Sequence, residues 1–78
     1  MRIQVEAYAG YKGDQRPIAF VLNRRRLLVE EILDQWYGPH SAYFKVRAAD
    51  ACVYILRLDR FASQGEWTLE SFQGQRSG

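Results

Sequence analysis

Arg26-Leu27-Leu28-Val29-Glu30-Glu31-Ile32-Leu33-Asp34-Gln35-Trp36-Tyr37 is the stretch on which the fold turns. Leu28, Val29, Ile32, Leu33 and Trp36 recur at helical spacing, yet Val29, Ile32 and Trp36 would equally line one side of a bulged strand. Start signals for a helix are poor. Arginine fills the positions where serine, threonine or aspartate would cap the first turn, although Asn23 could serve if the helix began early. Pattern alone leaves the two readings level. Gly38-Pro39 ends the element either way, and His40 and Ser41 fall in the loop beyond it.

The flanking segments read as strands. Residues 2 to 8 alternate polar and apolar, which sets Ile3, Val5 and Ala7 on one side of a strand. Gly10, Gly13 and Asp14 then form a loop. Pro17 opens a second run in which Ile18, Phe20 and Leu22 alternate, a position where its missing N–H costs no ladder bond. Asn23 and the charge run Arg24, Arg25 and Arg26 break it, giving a solvated turn beside an acidic element. From Tyr43 to Ala48 the side chains alternate again, with Phe44, Val46 and Ala48 inward and Tyr43, Lys45 and Arg47 outward. Ala49-Asp50 is a hairpin turn. Cys52 to Leu58 returns as the partner strand, and its unbroken apolar run Cys52, Val53, Tyr54, Ile55 and Leu56 predicts a central strand covered on both faces. A polar connection from Asp59 to Glu66, with Ser63 and Gly65 near its tip, leads to a last strand from Trp67 to Phe72. Trp36 and Trp67 are expected to anchor the core. The chain is expected to be one β domain over residues 1–72, with a disordered tail over 73–78.

Size and composition narrow the class. Seventy-eight residues supply one hydrophobic core. The chain is 47% hydrophobic and 26% charged, the balance of an ordinary globular domain. A lone cysteine cannot form an internal disulfide, which favours a reducing, cytoplasmic setting. Residues 1 to 20 carry Arg2, Glu6, Lys12, Asp14 and Arg16, so no signal-peptide core is expected, and no long apolar run predicts a membrane span. A formal charge of +2 is too small to mark a nucleic-acid binder by itself.

Few catalytic chemistries find their residues. One histidine and one cysteine, His40 and Cys52, cannot build a tetrahedral metal site. His40 reads as an exposed loop residue, and Cys52, inside an apolar run, as a small buried hydrophobe rather than a nucleophile. Gly10-Tyr11-Lys12-Gly13 lacks the spacing and ending of a phosphate-binding loop. Glu30, Glu31 and Asp34 read as one solvated side, and Asp50 and Asp59 as turn formers. The chain is therefore expected to be no enzyme, to need no cofactor, and to hold no pocket with convergent polar groups.

Aromatic and basic residues interleaved on strands remain. Tyr43, Lys45 and Arg47 share one face, and Tyr8, Tyr11, Lys12 and Arg16 gather around the first loop. Bases stack on rings while cations hold phosphates, so such mixtures suit single-stranded nucleic acid. They are also simply good strand formers. The candidate binding residues are Tyr43, Lys45 and Arg47 with Arg24, Arg25 and Arg26 at the turn. The expected partner is single-stranded nucleic acid or a protein that handles it. The alternative is a protein-interaction or assembly module, including self-association, that acts through a strand edge or an aromatic patch.

The runs Trp36-Tyr37-Gly38-Pro39, Tyr43-Phe44-Lys45-Val46-Arg47, Tyr54-Ile55-Leu56-Arg57 and Glu66-Trp67-Thr68-Leu69 together resemble a family of short uncharacterised bacterial proteins. They are also distantly similar to the small C-terminal β domain of catalytically inactive Y-family polymerase-like proteins from a bacterial mutagenesis complex. In the first family the segment matching Leu28 to Trp36 is a strand, so that resemblance implies an all-β chain and no particular activity. The expected fold is a small antiparallel, SH3-like, partly open barrel of five to six strands. The alternative is an α+β domain with a helix at 26–37.

Overall fold

The computed structural model describes residues 2–9, 15–59 and 66–73. The expected loop at 10–14, most of the connection before Glu66 and the tail from Gly74 onward lie outside the described residues. Six antiparallel strands follow one another in the sheet in chain order: β1 (Gln4–Ala9), β2 (Gln15–Leu22), β3 (Arg25–Tyr37), β4 (Ser41–Ala48), β5 (Val53–Asp59) and β6 (Glu66–Gln73). The sheet curls into a half-barrel, and Arg2, just before β1, forms an isolated bridge with Thr68 of β6. There the Ile3 N–H donates to the Trp67 carbonyl at 3.1 Å. The all-β, partly open barrel expected from the sequence is the fold, and no helix occurs among the described residues.

β3 resolves the ambiguous stretch. Its first residues pair with β2, Arg25 opposite Leu22 through Leu28 opposite Ala19, and its remainder pairs with β4, Val29 opposite Ala48 through Tyr37 opposite Ala42. Glu30 and Leu33 are each an extra residue with no partner of their own on β4. Two bulges within four positions stretch the inward spacing, so that Leu27, Val29, Ile32 and Gln35 are the least exposed residues of the strand. Steps of two, three and three imitate the helical period, which is why the sequence was readable both ways. Each bulge also sharpens the local twist, and the pair bend β3 where the sheet turns from one half to the other.

The core lies inside the curl. Phe20, Phe44, Val46, Ala48 and Leu56 are at most 1% exposed. The Phe20 ring meets Tyr54 edge-on at 4.9 Å, joining the half built from β1 and β2 to the half built from β4 to β6. Phe44 packs against Trp67 at 5.6 Å. Burying each of these side chains contributes about 1.5–3 kcal/mol.

Several orientations differ from the sequence reading. Ile3 and Val5 face the core as expected, but Ala7, opposite buried Pro17 near the end of β1, is exposed. The register slips between Glu6 and Ala7, and the extra residue there is Ile18 on β2, turned out to solvent, while Pro17 beside it is buried. Proline therefore sits within the strand at a bulge, not at its first position. β5 is flanked by strands on both sides, yet only one of its faces is covered: Tyr54, Leu56 and Leu58 are buried, whereas Val53 and Ile55 are half-exposed on the convex side. β6 carries a further bulge at Glu70 and runs to Gln73, one residue into the expected tail. Trp67 anchors the core, but Trp36 stands on the convex face at 38% exposure.

Candidate functional site

Registers of β3 to β6 lay the convex face out in rows. Glu31, Arg47 and Val53 form one row; Asp34, Lys45, Ile55 and Ser71 the next; Trp36, Tyr43, Arg57 and Thr68 the third. Alternation on β4 places Tyr43, Lys45 and Arg47 together on this face, each half-buried among its neighbours. The face is convex because the intervening Phe44, Val46 and Ala48 fill the core.

Charges in the first row are matched. Arg47 Nη2 donates to Glu31 Oε1 at 2.8 Å, and its Nε lies 3.7 Å from Glu30. Arg47 is thus engaged within the face rather than presented to a phosphate. Lys45 stands opposite Asp34 and makes no ion pair among the described residues. In the third row the rings of Trp36 and Tyr43 stack 5.5 Å apart and within 6° of parallel. Gly38 packs beside the Tyr43 ring, where an added Cβ would lie 3.4 Å from its Cε1. Arg57 Nε donates to the hydroxyl of buried Ser41 at 3.0 Å. Trp36 and Arg57 therefore join Tyr43 and Lys45. Sequence reasoning placed Trp36 in the core and did not single out Arg57, since only the strand register brings them beside Tyr43.

The arginine turn lies elsewhere. Asn23 and Arg24 occupy the two-residue β2–β3 turn with φ of 52° and 64°. From Arg26 to Trp36 is ten positions along β3, roughly 30 Å of strand, in a molecule whose longest dimension is 40 Å. Arg26 is also engaged. It forks onto Glu6, with Nε on one carboxylate oxygen and Nη2 on the other at 2.8 Å, crossing β2 beside the fully covered Ala19. The hydrogen bond and charge of Arg26 hold the Glu6 carboxyl below its usual range. Of the other aromatic and basic residues near the first loop, Tyr8 pairs in register with Arg16, and Tyr11 and Lys12 lie outside the described residues.

Apolar side chains collect along the last part of β3. Leu33, Trp36 and Tyr37 are 39%, 38% and 58% exposed. Among the described residues no strand pairs with the far edge of β3 beyond Leu28, so this stretch borders the opening of the half-barrel. Trp36 lies on the convex side of that border. Tyr37, opposite buried Ala42, lies on the inner side, where its hydroxyl accepts from Gln35 Nε2 at 2.6 Å.

An open cleft of about 470 Å³, which the sequence did not foretell, lies at the end of the half-barrel between the β2–β3 and β4–β5 turns. Leu22, Leu27 and Leu69 give it an apolar lining, with Asn23, Arg25, Asp50 and Tyr54 around them. Its two hydroxyl and carboxylate groups are turned on each other: the Tyr54 hydroxyl donates to Asp50 Oδ2 at 2.6 Å, and the Cys52 N–H donates to Asp50 Oδ1 at 3.0 Å. Desolvation pushes the Asp50 carboxyl up, but the hydrogen bonds from Tyr54 and Cys52 outweigh it and hold the group below its ordinary range. Burial, and then the bond to Asp50, push the Tyr54 hydroxyl well above the usual tyrosine range. This cluster fastens the β4–β5 turn. Cys52 is a free, half-buried thiol packed against the core.

Among the described residues no group of three or more histidine, cysteine or carboxylate side chains is placed to hold a metal ion. No helix among them is long and apolar enough to cross a membrane. Compared with protein-family models, curated proteins and solved structures, the chain matches none of them.

Proposed function

We propose that the chain is a non-catalytic β-barrel binding module that docks a partner protein on the side chains bordering the open side of β3, chiefly Leu33, Trp36 and Tyr37. One observation carries this reading: three large apolar residues stay exposed within five positions of one strand, beside a face whose acids and bases largely answer one another. Scattered single apolar residues on a surface need no explanation, but large apolar side chains gathered along one unpaired strand edge are the composition of an interface centre. Matched charges add little affinity and little salt dependence.

The nucleic-acid reading is the second, favoured by the Trp36–Tyr43 ring stack beside Lys45 and Arg57. It is weakened by the engagement of Arg47 with Glu30 and Glu31 and by the distance to the arginine turn.

A photo-crosslinking amino acid placed at Tyr37, with the same group at Tyr8 as control, tests the first reading inside cells. A discrete protein adduct at position 37 and not at position 8 is expected. Titration of the labelled protein with mixed-sequence single-stranded DNA at low and moderate salt separates the second. Shifts at Tyr43, Lys45 and Arg57 that fade with salt, together with no position-specific protein adduct, would transfer the function to nucleic acid.

A further inference from the structure

The Gly38 N–H donates to the Ser41 carbonyl at 2.8 Å and so points toward β4. Ladder donors alternate along an antiparallel strand, so the N–H groups of Trp36 and Asp34 point the same way and that of Gln35 points to the open edge. That donor is already taken: Asp34 Oδ1 accepts it at 2.8 Å. Upstream, the bulges at Glu30 and Leu33 break the edge, so the straight portion able to receive another strand begins at Asp34, and a carboxylate covers its first outward donor. Open edges are a standing invitation to pair with further strands, and inward-turned charges are one way chains refuse it.

We infer that Asp34 keeps two copies of this chain from joining through β3. The pairing it prevents is antiparallel and two-fold, Gln35 against Gln35 of the second copy, each exchanging its outward N–H and C=O with the other. In that register Trp36 lies opposite position 34 of the other copy. Glu30 and Glu31 face the other copy's Pro39–His40 loop rather than its acids. Like charges are therefore kept off directly opposing positions, and what stands in the way is Asp34 Oδ1, which holds the outward Gln35 N–H that the second copy's carbonyl would need. A second copy fits this edge once the side chain at position 34 no longer accepts the Gln35 N–H.

Sedimentation velocity on the whole chain from micromolar to millimolar concentration tests the inference. The wild type and Asp34→Asn, whose side-chain oxygen still accepts from Gln35, should not associate through this edge, whereas the apparent mass of Asp34→Ala should rise toward roughly twofold with concentration. Gln35→Pro removes the outward donor without touching the β4 ladder, so Asp34→Ala combined with Gln35→Pro should return to the wild-type mass. If circular dichroism shows that Asp34→Ala does not fold, Asp34→Val, a stronger strand former, takes its place. An Asp34→Ala chain that never exceeds the wild-type mass, an Asp34→Asn chain that associates equally, or association that survives Gln35→Pro each overturns the inference.

Discussion

Asp50→Ala should cost more stability than any other carboxylate substitution in this chain. The residue sits in the turn between β4 and β5, where Ala51 holds a φ of 67° and its N–H donates to the Ala48 carbonyl at 2.9 Å. Asp50 accepts the Cys52 N–H on one oxygen and the Tyr54 hydroxyl on the other. Hydrogen bonds to a charged group contribute about 1.5–3 kcal/mol each, but Asp50 is partly exposed and its own desolvation opposes them, so the low end applies. Losing both should cost about 2–3 kcal/mol, and Tyr54→Phe, which removes one, about 1–1.5 kcal/mol. A chain of this size has total stability on the order of 4–12 kcal/mol. Urea unfolding followed by tryptophan fluorescence measures both variants and their double mutant. The acid dependence has a definite sign. Because the folded Asp50 carboxyl lies below its ordinary value, its contribution is complete above the unfolded value near pH 4 and is lost as pH falls through the folded one. The gap between wild type and Asp50→Ala should therefore be widest at neutral pH and close on acidification. A cost under about 0.5 kcal/mol at pH 7, or a gap that does not shrink below about pH 4, would refute this account of the turn.

The same logic of local geometry predicts gains elsewhere. Arg24 and Ala51 hold left-handed φ values that side chains with a Cβ adopt at a cost, so Arg24→Gly and Ala51→Gly should each stabilise by about 0.5–1 kcal/mol after the greater freedom of unfolded glycine is deducted. Thermal melting should show a rise of a few degrees for each. In the core, Leu56→Ala removes a fully buried side chain and should cost about 2–5 kcal/mol, visible as a lower urea midpoint. Trp36→Ala should leave the fold intact, with a loss of about 0.5–1.5 kcal/mol from the Tyr43 stack, while abolishing the adduct expected at position 37.

Much of the architecture was legible in the chain. The alternation in β4 places every residue from Tyr43 to Ala48 on its observed face, and the Ala49–Asp50 turn lies where its residues predict. What escaped is what bulges hide. One extra residue shifts the facing along its own strand, so Ile18 on β2 came out exposed, and β3 acquired a spacing that suits a helix. Continuous apolarity in β5 was misleading for another reason: Val53 and Ile55 suit the half-covered outer face of a sheet as well as a second core. At the candidate site, Tyr43 and Lys45 were found by alternation alone. The engagement of Arg47, the stacking of Trp36 and the nearness of Arg57 depend on which residue of one strand lies opposite which of the next, and registers are set by turns and bulges together.

Chain-order strand pairing bears on how quickly the molecule can assemble. Each strand finds its partner in the segment just before or after it, so most contacts close short loops, and folding rates rise as the mean sequence separation of contacts falls. Successive hairpins can zip from either side of β3 with little entropic search. The exception is the meeting of Arg2 and Ile3 with Trp67 and Thr68, which must draw together nearly the whole chain. That junction bears the largest closure cost, so it is expected to be the last contact to form as the barrel assembles.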